Sequence, residues 1–297
     1  MPELPEVETT VRGLRARVLG KTITDFYCDA PDMIRYISVA TLKKLVVGKR
    51  IRATRRRAKH ILIDLSGGKT LVIHMMMTGH LLYGKYAQTG PKVRLWEPDL
   101  KVGPLRDQYN RFIHAVFTLS NGRHIAFCDM RKFGKIAIHD TNNLHVIKEL
   151  ADLGPELWEL KTVEFVKIMR TKKTGKIKQI LLNQKVLAGV GNIYSDEGLW
   201  AAAIHPCSKP GKIPVPKLTK LFKALVVITK RSLKTGGDSM SDYRNVDGVG
   251  GKFQNFHKAY RQTGKACKHP GCRGKIKRIV VGTRGTHFCS RHQKLYV

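Results

Sequence analysis

The chain has 297 residues, 42% of them hydrophobic, and carries 55 Lys and Arg against 22 Asp and Glu, a formal net charge of +33. That length and apolar content allow about two domains with real cores and exclude a disordered chain; no apolar run is long enough to span a bilayer, and the N-terminus lacks the basic-then-apolar order of a secretory signal. So large a positive excess, spread along folded segments rather than held in one tail, implies a polyanionic partner, with a ribosomal-type RNA binder and adaptation to an unusual cell interior as competing explanations.

The chain opens "MPELPEVETTVRGL". Val7, Val11, Leu14 and Val18 form one apolar stripe and predict a helix over residues 4–18, with proline and carboxylates suited to its first turn. A second reading makes Pro2 the N-terminus once Met1 is removed, with an amine that does chemistry. Residues 22–65 alternate as strands, most clearly "KTITDFYC" and "HILIDL", and Gly67–Gly68 turns the latter into "TLVIHMMM" to form a hairpin. "RHIAFCDM" and "GKIAIHD" predict another pair of strands joined by "RKF", while 84–110 has no period and predicts a long surface loop.

From about residue 145 helical periods take over, in "NLHVIKELADLG", "TVEFVKIMRTK", "IKQILLNQ", "SDEGLWAAAIHP" and "VPKLTKLFKALVVITKRSLKTGG". Before the fourth of these, "LAGVGN" sets Gly189, Gly191 and Asn192 at a helix start, with Asn192 as the cap. Such a turn is either a plain helix–helix connection or an anion site made of open backbone N–H groups. Residues 237–262 are polar and glycine-dotted.

Cys28, Cys128 and Cys207 stand alone, as small core or surface residues do. Near the C-terminus "CKHPGC" is followed, after sixteen residues, by "CSRH". Cys267, Cys272, Cys289 and His292 thus form two close pairs separated by a hairpin length, the pattern of a tetrahedral zinc site in a module too small to bury its own core. Three reduced thiols without metal are the alternative. Between the pairs, two short strands turn at Gly282–Gly285 and carry Arg284 at the tip.

"PELPEVE" at the start, "GVGNIYSDE" in the middle and "RGTHFC" in the terminal module occur in one order along nearly the whole chain, which resembles the formamidopyrimidine-DNA glycosylases. Leu4, where the related endonuclease VIII branch usually has glycine, favours that side. The resemblance implies an α+β fold: an N-terminal β-sandwich with a leading helix (1–142), a helix–two-turn–helix domain (145–236), a lesion-recognition loop and linker (237–262) and a zinc finger (263–297). It implies a monomer without membrane attachment, cytoplasmic and nucleoid-associated, with damaged double-stranded DNA in a basic cleft and one structural Zn²⁺ per chain.

The resemblance also implies an activity: a bifunctional glycosylase and abasic-site lyase that removes oxidised purines, 8-oxoguanine and formamidopyrimidines, in base excision repair. Pro2 would attack the sugar to give an iminium, followed by β,δ-elimination, with Glu3 shuttling protons and Glu6 supporting the pocket. Lys59, Arg284, Asn192 and Lys178 would meet phosphates or the lesion. Met77, Arg131 and Phe133 would fill the gap left by the extruded nucleotide, with Arg131 reading the base opposite. Without the resemblance, Lys59 reads as a solvated charge and the methionine run as core. The sequence departs from the family pattern at His292, where cysteine is usual, and in the spacing of Cys267 and Cys272. Two other functions compete: an endonuclease VIII-like enzyme for oxidised pyrimidines, which would lack the Met77/Arg131/Phe133 set, and a non-catalytic basic zinc-finger DNA binder, which would tolerate loss of Pro2 or Glu3.

Overall fold

The computed structural model describes residues 1–89, 95–172, 174–240 and 242–297. The chain divides into two compact units, Met1–Ala151 with Thr235–Lys252, and Asp152–Lys234 with Phe253–Val297. The polar stretch after the long helix is therefore shared. Its first part folds with the N-terminal unit and the rest with the C-terminal one.

Helix α1 runs from Leu4 to Val18, and Val7, Val11, Leu14 and Val18 are all fully buried, so the predicted stripe faces the core. It is followed by β1 (Ile23–Cys28), α2 (Val39–Val46), β2 (Ile51–Arg57), β3 (His60–Leu65), β4 (Lys69–His74), β5 (His80–Gly84), β6 (Tyr86–Thr89), β7 (Leu95–Pro98), β8 (Ile113–Leu119), β9 (His124–Cys128) and β10 (Lys135–Asp140). Two four-stranded antiparallel sheets, ordered β1-β8-β9-β5 and β10-β4-β3-β2, enclose one core with residues such as Phe26, Ile61, Ile73, Phe117, Phe127 and Ile136. Alternation along each strand explains the packing: Leu71 and Ile73 point inward, while Val72 and His74 lie on the opposite face.

Four expectations about this unit are corrected. Residues 22–65 are not strands throughout: α2 lies between β1 and β2, capped by Ser38 Oγ, which accepts the Thr41 N–H at 3.1 Å. β9 and β10 are not a hairpin: β9 pairs with β8 and β5, whereas β10 pairs with β4. The intervening "DMRKF" passes from one sheet to the other. Asp129 sets that turn, accepting N–H bonds from Arg131 and Gly134, and Lys132 takes φ +55°. The strand in "TLVIHMMM" stops at His74, because Met76 is left-handed at φ +54°. Nor is 84–110 an irregular loop. β6 and β7 pair from Tyr86–Pro98 to Thr89–Leu95, with buried Tyr86 packing beside Leu82 and Val116; residues 90–94 of that segment lie outside the described set.

Helix α3 is the short Lys148–Ala151 turn that closes the first stretch of the first unit, far shorter than the helix predicted through Gly154, and the helices after it belong to the second unit. Asn142 and Asn143, whose side chains compete for backbone bonds, sit instead in a 3₁₀ turn and bend before it. Then come α4 (Thr162–Thr171), α5 (Ile177–Leu182), α6 (Asn192–Ala202), α7 (Val215–Lys234), β11 (Ile276–Val281) and β12 (Arg284–Cys289). Gly198 lets α6 and α7 approach: a Cβ there would stand 2.5 Å from Leu225. Tyr194, fully buried on α6, shares a 2.6 Å hydrogen bond with Ser232 of α7.

Candidate active site and nucleic-acid interface

In the N-terminal unit the site is built at the start of α1. Pro2 is buried, and Glu3 and Glu6 are each 1% exposed. Glu6 Oε2 accepts the N–H of Glu3 at 2.8 Å, satisfying one donor that the first helical turn would otherwise leave open. Its Oε1 accepts the N–H of Asp238 at 2.8 Å, and the Tyr243 hydroxyl donates to the Glu6 carbonyl at 3.0 Å. Gly237, at φ +90°, packs so closely that a Cβ would lie 3.0 Å from Glu6 Oε1. One carboxylate thus ties the chain start to the glycine-rich segment 235–252.

Lys59 follows the left-handed Ala58 in the tight connection from β2 to β3 and is 6% exposed. This connection is anchored to α1 by Arg56, which donates to the Ala58 carbonyl at 3.1 Å and to Glu8 Oε2 at 3.0 Å. Burial pushes the Glu8 carboxyl up, but Arg12 and Arg56 outweigh it and hold the group below its ordinary value. Beside Lys59, His60 and His74 meet edge to face at 4.7 Å. They line a pocket of about 260 Å³ on the outer face of the β10-β4-β3-β2 sheet, together with Arg35, Met76 and Lys135. Burial, aided by nearby positive charge, lowers His60 to about 4 and His74 to about 3. His74 Nδ1 accepts the Met76 N–H at 2.9 Å, so its Nε2 carries the proton and can donate.

Met77, Arg131 and Phe133, distant in sequence, come together. Arg131 Nη1 donates to Met77 Sδ at 3.3 Å, and its guanidinium lies 4.4 Å from the Phe133 ring centre. Met77 is 38% and Phe133 42% exposed, whereas Met75 is buried in the core and Met76 faces the pocket. The methionine run therefore serves three different surroundings. The cluster rests on fully buried Asp129, which binds Thr78 and the N–H groups of Arg131 and Gly134.

In the C-terminal unit the turn before α6 differs from expectation in one detail. Gly191, extended at φ −132°, is the N-cap, and Asn192 is the first helical residue. Asn192 Nδ2 donates to the Gly285 carbonyl at 3.1 Å, leaving its second amide hydrogen for another acceptor. Lys178 does not present its ammonium to solvent. It is fully buried and donates to the Asn192 carbonyl (2.9 Å), Ser195 Oγ (2.8 Å) and Asp196 Oδ1 (2.5 Å). These bonds engage the ammonium in organising the turn before α6. Asp196 Oδ2 then accepts the His287 N–H at 2.9 Å and pairs with His287 Nδ1 at 3.0 Å, fixing β12 against α6. Arg284 opens β12 and is exposed.

Cys267, Cys272 and Cys289 offer sulfurs that all lie within 4.8 Å of one another. Cys272 and Cys289 Sγ stand 3.7 Å apart, and two thiolates each about 2.3 Å from one tetrahedral ion would stand about 3.8 Å apart. Gly274 makes room, since a Cβ would lie 2.7 Å from Cys289 Sγ. Its N–H also donates to Cys272 Sγ at 3.3 Å and draws that thiol below its ordinary value. The residues therefore fit a metal ion. His292 is outside the sulfur cluster: its ring stacks on His269 at 3.9 Å and its Nε2 donates to the Trp200 carbonyl at 2.7 Å. That bond leaves the lone pair on Nδ1.

Several residues of this site carry no sequence signal of their own. Asp196 and His287 meet only through the fold, and His60 and His74 are visible only as alternate positions of two strands. Asp129, five residues before Gly134 in a polar turn, is the one whose side chain suggests its capping role.

Residues 1–136 match the family model of the formamidopyrimidine-DNA glycosylase N-terminal domain, and residues 153–244 that of the formamidopyrimidine-DNA glycosylase H2TH domain. The formamidopyrimidine-DNA glycosylase of Pelotomaculum thermopropionicum is 35% identical over 99% of this chain and 100% of its own length. That of Streptococcus pyogenes is 37% identical over 99% of both chains. Among solved structures, a variant of the Lactococcus lactis protein with Fapy-dG containing DNA superposes with a TM-score of 0.83 at 30% identity, covering 99% of this chain and all of the other. The same protein with abasic-site DNA gives 0.83 over 98% and 99%.

Because His60 and His74 are held neutral, the unfolded chain binds protons more readily below its imidazole pKa of about 6.5. Unfolding free energy is expected to fall as the pH drops from about 6.5 towards 4, by up to about 1.4 kcal/mol per pH unit per imidazole. Chemical denaturation across that range checks this. The double variant His60→Gln/His74→Gln should lose two imidazoles' share of the slope, and an unchanged slope would contradict the assignment.

Proposed function

The chain belongs to the formamidopyrimidine-DNA glycosylase family and is a DNA glycosylase of base excision repair, and we propose that it excises oxidised purines from duplex DNA with the nitrogen of Pro2 as nucleophile. The observation that carries this reading is the buried Pro2-Glu3 start, held at a helix terminus by Glu6. With Met1 removed, the α-amine has an ordinary pKa of about 7.7–8, so a useful fraction is unprotonated at neutral pH. It attacks C1′ of the deoxyribose and the base departs with the electron pair of the glycosidic bond. Glu3 delivers a proton as the sugar ring opens, and the resulting iminium acidifies the C2′ hydrogen so that the 3′-phosphate and then the 5′-phosphate are eliminated.

The target base must leave the stack before its sugar is reached, and the space left behind needs a filler. The exposed Met77–Arg131–Phe133 cluster suits that task, with an apolar wedge on either side of a guanidinium able to read the opposite base. This cluster favours purine lesions over the endonuclease VIII-like alternative. Lys59 with the neighbouring His74, and Asn192 with Arg284, supply the phosphate contacts. Zn²⁺ is the ion that suits the three cysteine sulfurs; when bound it supplies folding energy to the terminal module. The net charge of +33 suits a DNA-binding surface.

On a duplex carrying 8-oxoguanine opposite cytosine, borohydride should trap the native protein covalently. Pro2→Gly should lower trapping and excision by on the order of 10³-fold, and equal trapping by both proteins would contradict the assignment. Metal analysis should return about one zinc per chain. Cys289→Ser should lose it and His292→Cys retain it; full metal in Cys289→Ser would contradict the ligand set.

A further inference from the structure

The segment after β7 does not end as free surface. Arg106 gathers it, donating to the Leu100 carbonyl at 2.7 Å, the Pro98 carbonyl at 2.9 Å and Glu97 at 2.9 Å. Asp107 then caps a 3₁₀ turn by accepting the Tyr109 N–H at 2.9 Å. The residues of this turn face the glycine-rich segment 235–252. Arg244, 8% exposed, donates through Nε and Nη2 to both Asp107 oxygens at 3.2 and 3.3 Å, and its guanidinium lies 4.5 Å from the Tyr109 ring centre. Asn110, 1% exposed, donates to the Gly248 carbonyl at 3.2 Å and to the Pro104 carbonyl at 2.9 Å, and accepts from His80 Nε2 at 2.9 Å. Gly248 must be glycine here: φ is +81°, and a Cβ would stand 2.7 Å from Asn110 Nδ2.

The other face of the same glycine-rich segment meets α1. Glu6 holds the Asp238 N–H, Val246 sits against Gly13, and Arg17 makes a two-pronged pair with Asp247 at 2.7 and 2.8 Å. The loop is thus held at two places, at the reacting end of the chain by Glu6 and at its far side by the turn of residues 107–110.

We propose that Asp107, Tyr109 and Asn110 are positioning residues that clasp the glycine-rich loop through Arg244 and Gly248 and thereby set which extruded bases the enzyme excises. The proposal rests on the glycosylase reading above together with the resemblance that makes 237–262 the lesion-recognition loop, which Glu6 ties to the Pro2 end of α1. A bidentate, aromatic-backed guanidinium at low exposure is a stiff anchor, unlike an ion pair in open solvent. Releasing it frees the loop to misplace the base. An abasic site has no base to hold, so its cleavage by Pro2 does not need the clasp.

The test compares two substrates of the full-length protein under single turnover: a duplex with 8-oxoguanine opposite cytosine and the same duplex with a preformed abasic site. Asp107→Asn and Tyr109→Leu should each slow base excision about tenfold, with abasic-site cleavage within about twofold of native. Asp107→Glu should recover part of the loss, and the double variant should fall little below the singles because both break one anchor. Excision and abasic cleavage falling together would mean a merely structural role and overturn the proposal, as would unchanged excision in both variants. A native protein that cleaves abasic sites but excises no oxidised purine would instead overturn the functional reading itself.

Discussion

The N-terminal unit depends on a single carboxylate with two obligations. Glu6 closes the first turn of α1 by taking the Glu3 N–H and holds the glycine-rich segment by taking the Asp238 N–H. A buried carboxylate without such donors would be costly, so its two oxygens constrain both partners at once. The chain start is thereby given a fixed direction, and a loop from 232 residues later in sequence is brought beside it. The sandwich core supports this arrangement through the stripe of Val7, Val11, Leu14 and Val18. The chemistry assigned to Pro2 needs such rigidity, since a nucleophile displaced by about 1 Å loses orders of magnitude in rate.

The C-terminal unit uses the same device with another acid. Asp196, fully buried, takes Lys178 on one oxygen and His287 on the other. It thus fixes the start of α6, where Asn192 lies, against the strand that begins with Arg284 and ends in Cys289. The turn and the terminal hairpin are one object, and the sulfur cluster closes the hairpin's far end. In each unit one buried carboxylate thus fixes two separate stretches of chain at once.

Much of this was legible in the residues. The helix over 4–18 followed from its apolar spacing and four of the five later helices from their periods; the first of the five shrank to the turn of α3, and α2 went unread inside a stretch that alternates as strands. The strand pairing was less legible: alternation marks β9 and β10 as strands but is silent on which sheet each joins, because register is decided by distant partners. The methionine run illustrates the same limit, since Met75, Met76 and Met77 differ only in what the fold sets around them. Motif position suggests that Lys178 meets a phosphate or the lesion, but is silent on its burial beside Ser195 and Asp196, which the fold brings from the next helix. The hairpin in 84–110 was hidden by glycine and proline in a segment whose ordering comes from contacts with β5, β8 and the loop at 244–248.

In the proposed reaction the attacking amine is the nitrogen of Pro2 and not that of a lysine. Lys59, beside the half-buried His60 and His74, is the lysine against which this is tested. Mass spectrometric peptide mapping of the borohydride-reduced protein–DNA adduct tests this directly. The sugar remnant is expected on the N-terminal peptide, on the nitrogen of Pro2 with Met1 absent; a remnant on Lys59 would contradict this chemistry.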